Sequence, residues 1–204
     1  MQGRFTGHHA YLVDLHCTLI DQQTAAIESL TARIEEAMTP FQAVRELICS
    51  IPGIGIPTAD VIIAETGADM TVFPTPGQLA SWAGVCPGHH ESAGRKKSSK
   101  TRPGNRWLKG ALGAAALSIA RHPGTFLHVK YQRLAKRRGK SKAIVALEHT
   151  LLTLVWTMTT NGTYYDEPGP DYYARRDPAR AKNHAIRQLE ALGYNVTVQP
   201  RDAA

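Results

Sequence analysis

Ser50-Ile51-Pro52-Gly53-Ile54-Gly55, followed by Thr58-Ala59 and the apolar run Val61-Ile62-Ile63, separates two segments of helical periodicity. Two glycines around one apolar residue make a tight turn whose backbone N–H groups can point outward at the start of the next helix. Those groups suit a phosphate oxygen, because a helix N-terminus carries partial positive charge and glycine removes the steric block to close approach. Pro52, Gly53, Ile54, Gly55 and Thr58 are therefore candidate backbone contacts to a phosphate. A plain helix-to-helix turn is the competing reading. Either one makes helix, turn, helix the organising unit of residues 47–66.

The turn resembles the helix-hairpin-helix motif, which grips nucleic-acid backbone without reading sequence. Upstream, Leu12, Leu15, Leu19, Ala26, Leu30, Ile34 and Met38 recur at three- and four-residue steps, with Asp14, Asp21, Glu28, Glu35 and Glu36 between them. This predicts one long amphipathic helix over Tyr11 to Met38, ended by Pro40, with a second helix starting near Phe41. A seam that narrow buries against a partner helix, so a coiled-coil-like element and a homo-oligomer are expected. Downstream, Thr75-Pro76 with Gln78 caps a short helix, and Asn105 to Ala120 carries Leu108, Leu112, Ala115 and Ile119 on one face. Pro123 opens another helix that ends in Lys136-Arg137-Arg138, and Ser141 is the expected cap of a strongly apolar central helix. Residues 162–176 read as a linker, Asp177-Pro178 starts a last helix, and Tyr194 to Val198 alternates like a strand. The expected fold is mainly α: a coiled-coil-like helix (1–39), then a helix-hairpin-helix and small bundle (40–161) with a basic loop at about 84–104 and a helical core at 105–161. A short α/β tail (162–204) completes it.

Among 204 residues the net charge is +7, but its distribution is uneven. Residues 1–91 hold 3 Lys/Arg against 10 Asp/Glu, residues 92–147 hold 15 Lys/Arg and no acid, and residues 148–204 hold 6 against 7. A one-sign span of that length repels itself unless a polyanion or solvent compensates it, which points to nucleic acid. Three scattered cysteines outside any paired pattern set the expectation of a reducing, cytoplasmic compartment. The apolar stretches are too short and alanine-rich for a membrane span, so no membrane partner is expected.

The second motif runs from Gly84 through Cys86-Pro87-Gly88-His89-His90-Glu91-Ser92-Ala93-Gly94-Arg95-Lys96-Lys97 to Thr101-Arg102-Pro103-Gly104-Asn105-Arg106-Trp107-Leu108-Lys109. A serine hydroxyl attacks a phosphodiester only when its proton has somewhere to go and cations hold the charge growing on the phosphoryl oxygens. Arg95, Lys96, Lys97, Lys100, Arg102, Asn105, Arg106 and Lys109 are candidate DNA contacts, joined by Lys136, Arg137, Arg138 and Lys140. From the residues alone, Ser92 is either a hydrogen-bond donor to a strand or a nucleophile. Cys86, His89 and His90 lack a fourth ligand at zinc-site spacing, and no metal site is expected. Trp82 and Trp107 sit at helical spacing and read as core or interface.

The order P-G-I-G, A-S-W-A-G-V-C-P, E-S-A-G-R and K-T-R-P-G-N-R-W-L-K resembles the C-terminal transposase domain of the IS-one-ten (IS-eleven-eleven) insertion-sequence family, over about residues 1–165. The resemblance implies a DNA recombinase in which an N-terminal RuvC-like domain, with a DEDD carboxylate set for Mg2+, is joined through a coiled coil to a serine-bearing domain. It also implies Ser92 as nucleophile, a phosphoserine link to a DNA end, and in some members a structured bridge RNA. No β-rich segment of that kind stands before Tyr11, and Asp14 and Asp21 fall on a helix face. The expectation is that this chain alone holds no cofactor, with strand transfer belonging to a full-length parent. A non-catalytic nucleic-acid-binding or assembly module is the alternative.

Overall fold

The computed structural model describes residues 3–88, 90–98 and 100–199, with side chains described at all of these except 90–92 and 95–97. The chain divides into two compact units, Met1–Ala43 and Val44–Ala204. The fold is mainly helical, as the periodicity predicts.

The first unit is dominated by α1, Gly7–Met38, with 32 residues and none buried. At about 1.5 Å per residue it is a rod roughly 48 Å long. Its apolar positions, Leu15, Leu19, Leu30 and Ile34 among them, stay exposed. The Thr6 N–H donates to Nδ1 of His9, which satisfies one backbone donor at the N-terminus. Pro40 does not end the helical path abruptly. It sits in a single 3-10 turn, Thr39–Phe41, from which the chain continues in helical dihedrals into α2, Gln42–Cys49.

The second unit is a bundle: α3 (Ile56–Thr66), α4 (Pro76–Trp82), α5 (Arg106–Arg121), α6 (Phe126–Arg138) and α7 (Lys140–Asn161). α7 is central, packing on α4, α5 and α6. It buries Leu147, Leu151, Leu152, Val155 and Met158 against Leu108, Leu112, Leu79 and Leu127 from its neighbours. Each such side chain contributes about 1.5–3 kcal/mol by leaving water. Among the described residues, α7 is also the one helix long and apolar enough to cross a bilayer.

Five details differ from expectation. α7 starts at Lys140 with Gly139 at the N-cap position and no side-chain cap, so Ser141 lies inside the helix. α6 starts at Phe126, because Thr125 accepts from the His128 N–H and sets the boundary two residues past Pro123. The segment read as a linker contains a short helix, α8 (Tyr172–Arg176), ahead of α9 (Pro178–Ala191). Tyr194 to Val198 forms no strand; among the described residues it has no partner to pair with, and Tyr194 and Val198 remain exposed. Finally, the basic segment is not wholly a loop. It holds an antiparallel hairpin of β1 (His90–Ser92) and β2 (Arg95–Ser98), closed at its base by a Pro87–Thr101 bridge.

Candidate nucleic-acid interface

The turn between α2 and α3 is braced from both sides. Arg45 on α2 donates to both carboxylate oxygens of Asp60 on α3, at 2.6 and 2.7 Å, in a bidentate pair shielded from water. The Ser50 hydroxyl donates to the Leu47 carbonyl (2.7 Å) and accepts from the Tyr165 N–H (3.0 Å), which ties the turn to the C-terminal segment. Gly53 has no room for a side chain: a Cβ there would lie 2.4 Å from Cγ1 of Ile119 on α5. Ile54 is buried and its N–H donates to the Ile51 carbonyl, so Ile54 is an anchor, while Gly53, Gly55 and Thr58 lie at or near the surface.

The start of α5 is a satisfied joint. Gly84 and Gly104 cross backbone on backbone; a Cβ on Gly104 would meet the Gly84 nitrogen at 2.4 Å and the Ala83 carbonyl carbon at 2.5 Å. The Asn105 Oδ1 caps α5 by accepting from the Trp107 and Leu108 N–H groups, both at 3.0 Å, and its Nδ2 donates to Glu65 on α3. Lys109 donates to the Thr101 hydroxyl (2.9 Å) and to the Gly84 carbonyl (3.3 Å). Asn105 and Lys109, expected as DNA contacts, are thus engaged inside the fold. Arg102 and Arg106 are exposed, with Arg106 lying over the exposed Trp107 ring at 4.5 Å. Neither Trp107 nor Trp82 is core: they are 62% and 41% exposed, and Trp82 packs on Phe73 with centroids 5.3 Å apart.

The hairpin explains the local sequence around Ser92. Ala93 and Gly94 both take positive φ, +50° and +72°, the geometry of a two-residue turn whose twist matches its flanking strands. Ser92 ends β1 as the cross-strand partner of Arg95, and Glu91 pairs with Lys96. The side chains of Ser92, Arg95, Lys96 and Lys97 lie outside the described part, as does His89 of the weak zinc trio.

Across from that satisfied joint in electrostatic terms stands the head of α7. Helix α6 ends in Lys136, Arg137 and Arg138, where cations complement the negative helix end. The next helix then opens on Lys140-Ser141-Lys142 with no acid in its first turn and no capping side chain. Lysines at a positive helix end add to it, so the first turn is left with unmatched positive charge. Lys100, Thr101, Arg138, Ser141, Lys142 and His149 line a groove of about 580 Å3 with no carboxylate among its described lining residues. Burial, with Lys130 nearby, holds the His149 imidazole below its ordinary value and favours the neutral ring. The groove's cations stand beside an apolar wall of Val85, Pro87, Val145 and Ala146. Ser141, Lys142 and His149 are not among the contacts expected from the sequence; their signal is helical spacing within α7, where 142, 145 and 149 fall on one side.

Residues 45–132 match the family model described as "Transposase IS116/IS110/IS902 family". The chain is 32% identical over 127 residues to the insertion element IS110 uncharacterized 43.6 kDa protein of Streptomyces coelicolor, covering 61% of this chain and 31% of that relative. It is 30% identical over 123 residues to the insertion element IS900 uncharacterized 42 kDa protein of Mycobacterium paratuberculosis, covering 59% and 30%. The pilin gene-inverting protein of Moraxella bovis shares 32% identity over 127 residues, covering 59% and 38%. The matched part thus spans about a third of the length of these curated relatives. The matched residues carry the braced turn, the hairpin and the capped start of α5, and over them the chain is similar to the transposase IS116/IS110/IS902 family.

Proposed function

We propose that this chain handles DNA during transposition of an insertion sequence, holding a sugar-phosphate backbone in the groove at the head of α7 and presenting Ser92 to a phosphodiester. The observation that carries the reading is the uncapped, lysine-headed start of α7 beside Lys100 and Arg138, a concentration of positive charge with no carboxylate in the groove among the described residues. Similarity to that transposase family over residues 45–132 supports DNA as the polyanion, and the resemblance of the S-A-G element supports Ser92 as the reacting residue.

In the chemical step the Ser92 Oγ–P bond forms as the P–O bond to the departing strand breaks. The hydroxyl proton passes to the released strand oxygen, leaving a phosphoserine link to one DNA end. Cations along the groove hold the negative charge that builds on the phosphoryl oxygens. No three His, Cys, Asp or Glu side chains converge among the described residues, so they do not fit the Mg2+ that the resemblance implies for the RuvC-like domain. The test is Ser92→Ala, assayed for covalent protein–DNA adduct with a carboxylate-bearing RuvC-like domain supplied in trans. Loss of adduct with retained binding supports the nucleophile. Equal adduct in the variant would refute it, and adduct-free binding by the unaltered chain would favour the binding-only module.

Two partners extend the proposal. A structured guide RNA offers the same phosphate chemistry, so a folded RNA should compete with duplex for the groove. The exposed apolar positions of α1 fit a second copy of the chain, and sedimentation at increasing concentration should show a dimer or larger species.

A further inference from the structure

A second groove, of about 660 Å3, lies between α6 and the start of α9 and is lined by Arg133, Tyr173, Arg176, Asp177, Arg180 and His184. It shares no lining residue with the groove at the head of α7. Arg133 and Arg176 are far apart in sequence, and the segment that reads as a linker brings them together. Tyr172 and Tyr173 pack on Phe126 with ring centroids 4.9 and 5.6 Å away, and the Arg133 guanidinium lies 4.0 Å from the Tyr173 centroid. Of the adjacent arginines, Arg175 pairs with Asp171 at 3.0 Å and donates to the Pro168 carbonyl, whereas Arg176 faces the groove. Asp177, the acid in the lining, is engaged as the cap of α9, accepting from the Arg180 N–H at 3.0 Å. Among the described residues, Arg133, Arg176 and Arg180 have no carboxylate within ion-pair distance.

We infer that this groove is a second site for a nucleic-acid strand, bound through its phosphodiester groups and not through its bases. Guanidinium forks match phosphate oxygens in planar, paired hydrogen bonds, and three of them converge here from α6, the end of α8 and the start of α9. The Tyr173 ring, packed by Phe126 and covered by Arg133, has little free face on which to stack a base. The basic block that draws attention in the sequence ends before residue 148, so two of these three arginines lie outside it. The inference rests on the DNA-handling reading for the identity of the polyanion alone.

The test uses the whole chain, a labelled DNA duplex and inorganic phosphate. Arg176→Ala/Arg180→Ala alters two exposed side chains and keeps the Asp177 cap. It should weaken duplex binding about tenfold and make the log–log salt slope shallower by about two phosphate contacts, with an unchanged melting temperature. Lys142→Glu is the parallel arm for the first groove. Loss in both arms supports two sites. An unchanged double variant beside a weakened Lys142→Glu overturns the second groove and leaves the first, and the reverse pattern keeps the second groove while overturning the first. Inorganic phosphate should displace the duplex no better than chloride at equal ionic strength; specific displacement that the double variant abolishes would mark a free-phosphate site and overturn the strand assignment.

Discussion

Helices α5 and α7 both begin amid cations, yet their first turns are built in opposite ways. At α5, Asn105 caps two backbone N–H groups, Glu65 holds the Asn105 amide, and Lys109 is tied to Thr101 and Gly84. At α7, Gly139 offers no side chain, Lys140 and Lys142 oppose the helix dipole, and no acid enters the first turn. The same residue classes therefore serve two ends: in one place they close the fold, and in the other they leave an unmet demand for an anion. Abundance of lysine and arginine does not by itself mark the candidate site, which is distinguished by the lack of carboxylate partners among the described residues.

That contrast predicts separable consequences. The largest effect belongs to Gly104→Ala, whose Cβ would fall within 2.6 Å of three backbone atoms of Ala83 and Gly84. Backbone cannot step aside as a side-chain tip can, so a loss of about 3 kcal/mol is expected in chemical denaturation. Next, Asn105→Ala removes a cap and strips Glu65 of its partner, costing about 1–2 kcal/mol while the salt slope of DNA binding stays the same. A shallower slope in that variant would mean that Asn105 also meets a phosphate.

At α7 the two properties should move in opposite directions. Ser141→Asp supplies the missing acid, raising stability by about 0.3–1 kcal/mol while weakening DNA binding several-fold. Joint improvement would break the account. The smallest effect is a pH dependence at Glu148, buried between α5 and α7 with one carboxylate oxygen unpartnered. Burial pushes its carboxyl up, opposed by Lys109. A raised folded value favours the protonated form, so its stabilisation is present at acid pH and is lost as pH rises through that value. Glu148→Gln should accordingly gain stability relative to the native chain as pH rises toward neutral, read as a growing difference in denaturant midpoints. A difference independent of pH would contradict this.

Much of the architecture is legible where one residue sets a boundary by its own chemistry. Thr75 before Pro76 and Asp177 before Pro178 cap helices where the sequence starts them, and Asn105, expected as the first residue of a helix, is the cap of α5. Legibility fails where neighbours decide. β1 and β2 are too short and too polar to show apolar alternation, and their turn uses Ala93 at positive φ, which no turn preference singles out. Tyr194, Val196 and Val198 do alternate but find no strand to pair with among the described residues. The acid-free span exposes the cations of the candidate site, yet which of them share a groove depends on how α6 and α7 pack. The same limit hides the arginines gathered by the Phe126, Tyr172 and Tyr173 cluster, since that contact spans a segment with loop-like composition.

The central claim is that the uncompensated head of α7 meets a phosphate backbone. Its most direct test is the duplex affinity of the native chain and of Lys142→Glu measured across a salt series. A steep native log–log slope, of roughly −0.9 per contact, should become shallower by at least one contact in the variant at equal stability. A flat native slope, or two parallel lines of equal affinity, would contradict the claim.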